Sequence, residues 1–274
     1  MRYAVKVGYD GLGFHGSQRQ SGDDPLSVEG IIVEALRKIG DFSGGEWPVE
    51  FSSRTDAGVS ALGNVFAIDT EREVSDLLKA LNANMEGVWC IASGRIREHQ
   101  NIRWANSRWY RYHLKPGVLD GNQVKLLDSA LTEFVGVHDF KNFCRLEKGK
   151  DPITRIERAK AMDLTGNGEM VVIDIVGDRF LWNQVRRMVG GAMRVAEGRM
   201  EKEELEGLMK GKGSRESIPT MPATGLVLMD VMFKDIDFII DPDAVAIARD
   251  RSSQESWEAS VKVLLHSAIR SLQV

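Results

Sequence analysis

Cysteine is nearly absent from the 274 residues: Cys90 and Cys144 are the whole supply. Two thiols build no disulfide framework, and neither lies in a CxxC or His/Cys cluster spaced for zinc. Both read as buried structural thiols, and no metal is expected. Long apolar runs are missing too. None approaches the roughly 20 residues of a membrane-spanning helix, and the opening MRYAVKVGYD alternates instead of forming a signal-peptide core. A cytoplasmic protein is the expectation. Charge of either sign barely prevails, since 36 basic residues against 40 acidic leave −4. With 43% apolar and 28% charged residues the chain is not intrinsically disordered, and its length suits one large domain or two modest ones.

Periodicity divides the chain into two α+β halves. In 2–8 (RYAVKVG), Tyr3, Val5 and Val7 share one face of a strand. Ser27 then caps VEGIIVEALRKIG, a helix that Gly40 ends. A strand near 63–70, a helix at 73–84 and strands near 88–97 and 108–114 complete the first half. The second half offers a helix at 122–135 and strands near 155–164 and 169–176, joined through Thr165, Gly166, Asn167 and Gly168, where Asn-Gly signals a hairpin. A long helix at about 180–197, a short acidic one at 201–210 and a strand at 225–234 follow. Lys115, Pro116, Gly117, Asp120 and Gly121 break the pattern, which puts the division at 1–116 and 117–240. Residues 241–274 read as a helical extension whose apolar Val261, Leu264, Leu265, Ala268 and Leu272 dock on the protein's own surface.

Directly after the first strand stands GLGFHG, with glycines at 11, 13 and 16. A dinucleotide site needs a helix to open at once on the phosphates. SQRQSGDDP follows instead, which is polar and turn-rich, so a nucleotide-cofactor enzyme is the weaker reading.

The small net charge hides strong segregation. Residues 95–115 carry +5, residues 141–160 carry +4 and residues 179–199 carry +4, leaving −17 on the other 212 residues. In the first stretch Trp104, Trp109, Tyr110 and Tyr112 interleave with arginines. Arginines that hold phosphates beside rings that stack on bases suit single-stranded or flipped nucleotides. A strand with a solvated arginine face and an aromatic core face fits that segment equally well. The two further basic segments favour RNA or DNA.

The most unusual local sequence is FSSRTDAGVSALGNV, residues 51–65. Asp56 follows Arg54 and Thr55, and small residues after it let another surface approach closely. A carboxylate there suits a nucleophile or base that a nearby arginine keeps ionised. It equally suits an Asx-turn residue that holds the loop, and composition alone favours the turn.

SRTDAGVSALGNV resembles the catalytic loop of the TruA-type tRNA pseudouridine synthases. YDGLGFHGSQRQ, RWYRYHL, GVHDFKNF, FLWNQVRRMVGGAMRVAEG and TMPATGLVLMDV resemble further segments of that family in the same order, from residue 3 to about 233. Ser53, Ser60 and Ser17 stand where the family usually has Gly, His and Trp. None of the three is expected to touch Arg54, Thr55 or Asp56, so they bear on substrate choice more than on the reaction.

The resemblance implies an α+β pseudouridine-synthase fold, with two pseudo-symmetric halves around a continuous, mainly antiparallel sheet and a central cleft. It implies isomerisation of uridine to pseudouridine in the tRNA anticodon stem-loop, at about positions 38–40, after extrusion of the base. That reaction requires neither cofactor nor metal. By matched position Asp56 is the essential carboxylate, Arg186 pairs with it, and Tyr110 stacks on the uracil and takes the C5 proton. Arg54 fills the vacated stack and Leu226 lines the pocket. Arg19, Lys6 and the arginines of 103–111, among them Arg108 and Arg111, are expected on phosphates. A homodimer is implied as well. The competing reading is an RNA-binding chaperone of the same fold without chemistry.

Overall fold

The computed structural model describes residues 1–19, 26–42, 44, 48–213 and 218–250. Ten strands form one sheet: β1 (Arg2–Tyr9), β2 (Val49–Phe51), β3 (Ser60–Asp69), β4 (Val88–Arg95), β5 (Ser107–His113), β6 (Gly136–Asp139), β7 (Ile153–Asp163), β8 (Val171–Gly177), β9 (Leu226–Met232) and β10 (Ile239–Ile240). Their order is β10-β4-β1-β3-β9-β5-β8-β7-β6, with β2 beside β3. Helices among the described residues include α1 (Val28–Lys38), α2 (Val74–Asn84), α3 (Gly121–Thr132), α4 (Gln184–Ala196) and α5 (Lys202–Met209).

Local chemistry sets most of the boundaries. The Ser27 hydroxyl accepts the Gly30 amide at the start of α1, and Gly40 leaves its end at a φ of 79°. At α3, Asp120 and Gln123 form a reciprocal capping box. α1 and α2 bury Ile32, Leu36, Leu77, Leu78 and Leu81 completely. Each such side chain contributes about 1.5–3 kcal/mol. Cys90 and Cys144 are free and buried, and burial pushes the Cys90 thiol up.

Several elements differ from the sequence expectation. The strand expected at 63–70 begins at Ser60, and β2, β6 and β10 appear where none was expected; β6 and β10 are the short strands at the two ends of the sheet order, and β2 is a three-residue strand paired with β3. The helix expected from 180 starts at Gln184, because Asn183 adopts the left-handed φ of 64° and ends the approach turn there. β7 and β8 do form a hairpin. Its wide loop is organised by the Asp163 carboxylate, which accepts the amides of Thr165, Gly166 and Gly168. The strand β5 belongs to the first half in sequence, yet it pairs with β9 and β8 of the second. β10 makes the opposite exchange by pairing with β4. Residues 242–250 are helical, and the apolar positions 261–272 lie outside the described residues.

One joint in the sheet is parallel. Ser60 and Ala61 of β3 face Val227 and Leu228 of β9. Parallel pairing sets the beginnings of both strands side by side. The loop ahead of β3 and the turn ahead of β9 therefore meet at one sheet edge, where a Cβ added to Gly58 would lie 3.4 Å from the Ala223 methyl.

Candidate active site

The loop ahead of β3 carries Arg54, Thr55 and Asp56. It is fixed by hydrogen bonds before any substrate arrives. The Thr55 amide donates to the Ser17 hydroxyl (2.8 Å), and the Ser17 amide donates to the Thr55 carbonyl (3.1 Å). Beneath them the Tyr9 and Thr55 hydroxyls lie 2.8 Å apart, and the Asn64 amide donates to Tyr9 (3.0 Å) and to the Ser53 carbonyl (2.9 Å). Burial pushes the Tyr9 phenol up to about 12, against the lowering pull of its hydrogen bonds from Thr55, Asn64 and Ser17. A satisfied buried network of this kind rigidifies the loop it holds.

The GLGFHG glycines serve the same loop. Gly11–Gly13 form a single 3-10 turn. A Cβ on Gly11 would stand 2.2 Å from the Val59 carbonyl oxygen, and one on Gly16, at φ 114°, would stand 2.9 Å from that of Thr55. Close backbone approach requires glycine at positions 11 and 16, whereas Gly13 has open space around it.

The three serine departures each make a hydrogen bond, and that of Ser17 is to the loop itself. Besides the Ser17–Thr55 exchange, the Ser53 hydroxyl accepts Arg108 Nε (3.3 Å) and the Ser60 hydroxyl accepts the Gly11 amide (3.0 Å). The expectation that none touches Arg54, Thr55 or Asp56 is corrected at Ser17. Chain neighbourhood alone does not reveal a contact made across 38 residues.

Arg186, from the first turn of α4, reaches across the cleft. Its Nη1 donates to Asp56 Oδ2 (3.2 Å) and to Asn183 Oδ1 (3.1 Å), and its Nε donates to the Met221 carbonyl (2.6 Å). The Asp56 side chain keeps 36% exposure and Arg186 17%, so the carboxylate is paired yet open to a ligand. Asn183 is the one non-glycine residue with positive φ among those described. Asparagine tolerates that region best, and such strain concentrates at functional sites. Tyr110, in the middle of β5, is buried with its ring edge-on to Phe180 at 5.2 Å. Burial pushes its phenol well above the usual range, with Tyr9 and Asp56 adding to the shift and Arg108 opposing it. Leu226 is buried at the start of β9, facing Tyr112, while Leu228 faces Tyr110. Arg54 is exposed, and so is Arg19, whose amide donates to Glu29.

Asp56 and Arg186 are thus brought together, close enough to Tyr110 for Asp56 to act on its phenol, while Leu226 lies beside Tyr112 and Arg54 is on the loop. Three residues expected on phosphates have partners within the protein. The Arg108 guanidinium is buried and donates to the carbonyls of Ala105, Asp178 and Arg103 as well as to Ser53; burial lowers its pKa. Arg111 points to the other face of β5 from Tyr110, because strand side chains alternate. There it forms a forked pair with Asp174 at 2.8 and 2.9 Å, and although burial opposes it, this pairing holds the Asp174 carboxyl below the usual range. Lys6 is paired with Asp230. The aromatic stretch separates in the same way: Trp109 lies under Arg111, the Tyr112 hydroxyl donates to the Pro222 carbonyl (3.0 Å), and Trp104 is 84% exposed.

Sequence reasoning missed Tyr9, Asn64 and Asn183. Tyr9 falls just beyond the strand expected at 2–8, Asn64 inside the strand expected at 63–70, and Asn183 inside the helix expected from about 180, so periodicity carries no signal for any of them. Among the described residues no group of three or more His, Cys, Asp or Glu is placed to hold a metal, and no helix is long and apolar enough to cross a membrane.

A family model described as tRNA pseudouridine synthase matches residues 130–234. The tRNA pseudouridine synthase A of Pyrococcus horikoshii is 37% identical over 247 residues, covering 89% of this chain and 90% of that protein. Its namesake from Thermococcus sibiricus is 34% identical over 271 residues, covering 98% and 97%. For Archaeoglobus fulgidus the values are 32% over 254 residues, 92% and 91%. The chain belongs to the tRNA pseudouridine synthase family. It is an isomerase of that class and has the pseudouridine-synthase fold.

Proposed function

We propose that the chain converts uridine to pseudouridine in tRNA, acting in the anticodon stem-loop with Asp56 as the essential carboxylate. The ion pair between Asp56 and Arg186, held beside the buried Tyr110, carries this reading. The C1′–N1 bond breaks, the uracil turns, and a C1′–C5 bond forms; a proton leaves C5 and one is gained at N1, so composition is unchanged. Arg186 keeps the carboxylate oriented in a cleft where an unpaired charge is costly. Burial holds Tyr110 protonated, which favours stacking and hydrogen bonding over service as a free phenolate. Leu226 supplies an apolar wall. Exposed Arg54, two residues from Asp56, fills the stack that the uridine leaves, and Arg19 meets a phosphate. A homodimer is part of the reading, checked by light scattering.

Release of tritium from tRNA labelled at uridine C5 tests the proposal. The intact protein releases it, Asp56→Asn does not, and the two bind tRNA alike. Full activity in Asp56→Asn would overturn the assignment. Binding without release by the intact protein would mark it as an RNA-binding protein without chemistry.

A further inference from the structure

An aromatic–cationic pair at the entry to α4 has none of the roles above. The Arg145 guanidinium sits 4.1 Å over the Trp182 ring, and the Arg145 amide donates to the Trp182 carbonyl at 2.8 Å. Trp182 is 41% exposed, and residues 145–150 are exposed along their whole length. A single exposed indole is unremarkable by itself. This one has a flat cation fixed on one face, and among the described residues that guanidinium makes no hydrogen bond or ion pair.

Its position matters as much as its chemistry. Trp182 precedes Asn183, whose side chain binds Arg186, which in turn binds Asp56. Covalent geometry and these contacts place the Trp182 backbone within about 14 Å of the Asp56 carboxylate. Around the stack, Arg145, Lys148 and Lys150 outnumber Glu147. A cation on one face of an indole leaves the second face for a nucleobase, and the N–H edge of a guanidinium fits a phosphate.

We propose that Trp182 and Arg145 form a second RNA-contact site, on which a base neighbouring the extruded uridine stacks while Arg145 holds an adjoining phosphate. The proposal rests on tRNA being the substrate. An acidic protein partner would also meet the lysines, but it has no need of an open ring face.

Binding of an unmodified tRNA transcript is measured in the full chain carrying Asp56→Asn, so that chemistry does not intrude. Trp182→Ala weakens it on the order of tenfold to a hundredfold, and Trp182→Phe by only about threefold, because any ring offers a face. Arg145→Ala weakens binding and lowers the salt slope by about one. Added tRNA quenches tryptophan emission, and Trp182→Phe removes that part of the quenching. In the active enzyme the loss falls on KM rather than kcat. Trp182→Ala with unchanged melting and tRNA affinity within about twofold of its parent sinks the proposal, since a stacked base is worth far more. A loss of kcat at unchanged affinity sinks it too, by tracing the effect through Asn183. If the Asp56→Asn parent itself binds no tRNA, the substrate reading fails and takes this site with it.

Discussion

The backbone amide of Thr55 and the hydroxyl of Ser17, 2.8 Å apart, strap the glycine turn after β1 to the loop that presents Asp56. Ser17→Ala leaves that buried amide unpaired, at a cost of about 1–3 kcal/mol. Because Thr55 adjoins Asp56, kcat falls along with the melting temperature. Ser17 is fully buried, so Ser17→Trp overpacks the strap and destabilises further. Denaturant unfolding and tritium release on both variants check this.

Tyr9 couples the same loop to alkaline pH. Its phenol titrates near 10 when unfolded and at about 12 when folded, so the unfolded chain loses the proton first. The contribution to stability is complete below pH 10 and is lost as pH rises through 12. It amounts to on the order of 2–3 kcal/mol. Tyr110 and Cys90 are raised by burial and act with the same sign. Stability of the intact protein therefore declines from pH 9 to 11, and Tyr9→Phe declines less steeply.

At Asn183 two substitutions separate backbone from side chain. Asn183→Gly accepts the left-handed conformation but takes the acceptor away from Arg186. Asn183→Ala loses the acceptor and adds about 1–2 kcal/mol of backbone strain. Both variants lose kcat, and only Asn183→Ala loses that further stability. Equal melting temperatures for the two would contradict the strain argument.

Arg108 and Arg111, three positions apart in β5, make opposite predictions. Arg108 ties Ser53 to the carbonyls of two other loops, a fork that a lysine does not reproduce. Arg108→Lys therefore lowers kcat by tenfold or more, an expectation of about 1.4 kcal/mol in transition-state terms. Arg111 faces away from the cleft, and Arg111→Ala keeps tRNA affinity within about twofold because it neutralises no phosphate. A clear loss of salt dependence in Arg111→Ala would put a phosphate at that residue in spite of its pairing with Asp174.

Much of this was legible in the sequence wherever the cause is local. Ser27 announces its helix through capping chemistry, and the Asp56 loop announces itself through its motif; Asp120 reads only as a break between the halves, although it caps α3. The alternation of β5 already separates Tyr110 from Arg111, yet clustered arginines invite a single reading for all of them. Arg108 was illegible for a different reason. Its acceptors are backbone carbonyls, which every residue has, and only the folded loops bring them together. The contacts of Ser17 and Ser60 are hidden likewise, since they are made to atoms distant in the chain.

The parallel joint between β3 and β9 has a consequence for how activity arises. The acid lies before one strand and its counter-ion is held by the Met221 carbonyl just before the other, so 130 residues separate Asp56 from Arg186. Contacts across such separations form slowly, because the intervening loop must close before they reward it. Refolding chain is therefore expected to regain helix content before turnover, and a fragment ending before β9 stays inert however well its own half packs. The Asp56–Arg186 pair is a late product of the chain's own assembly.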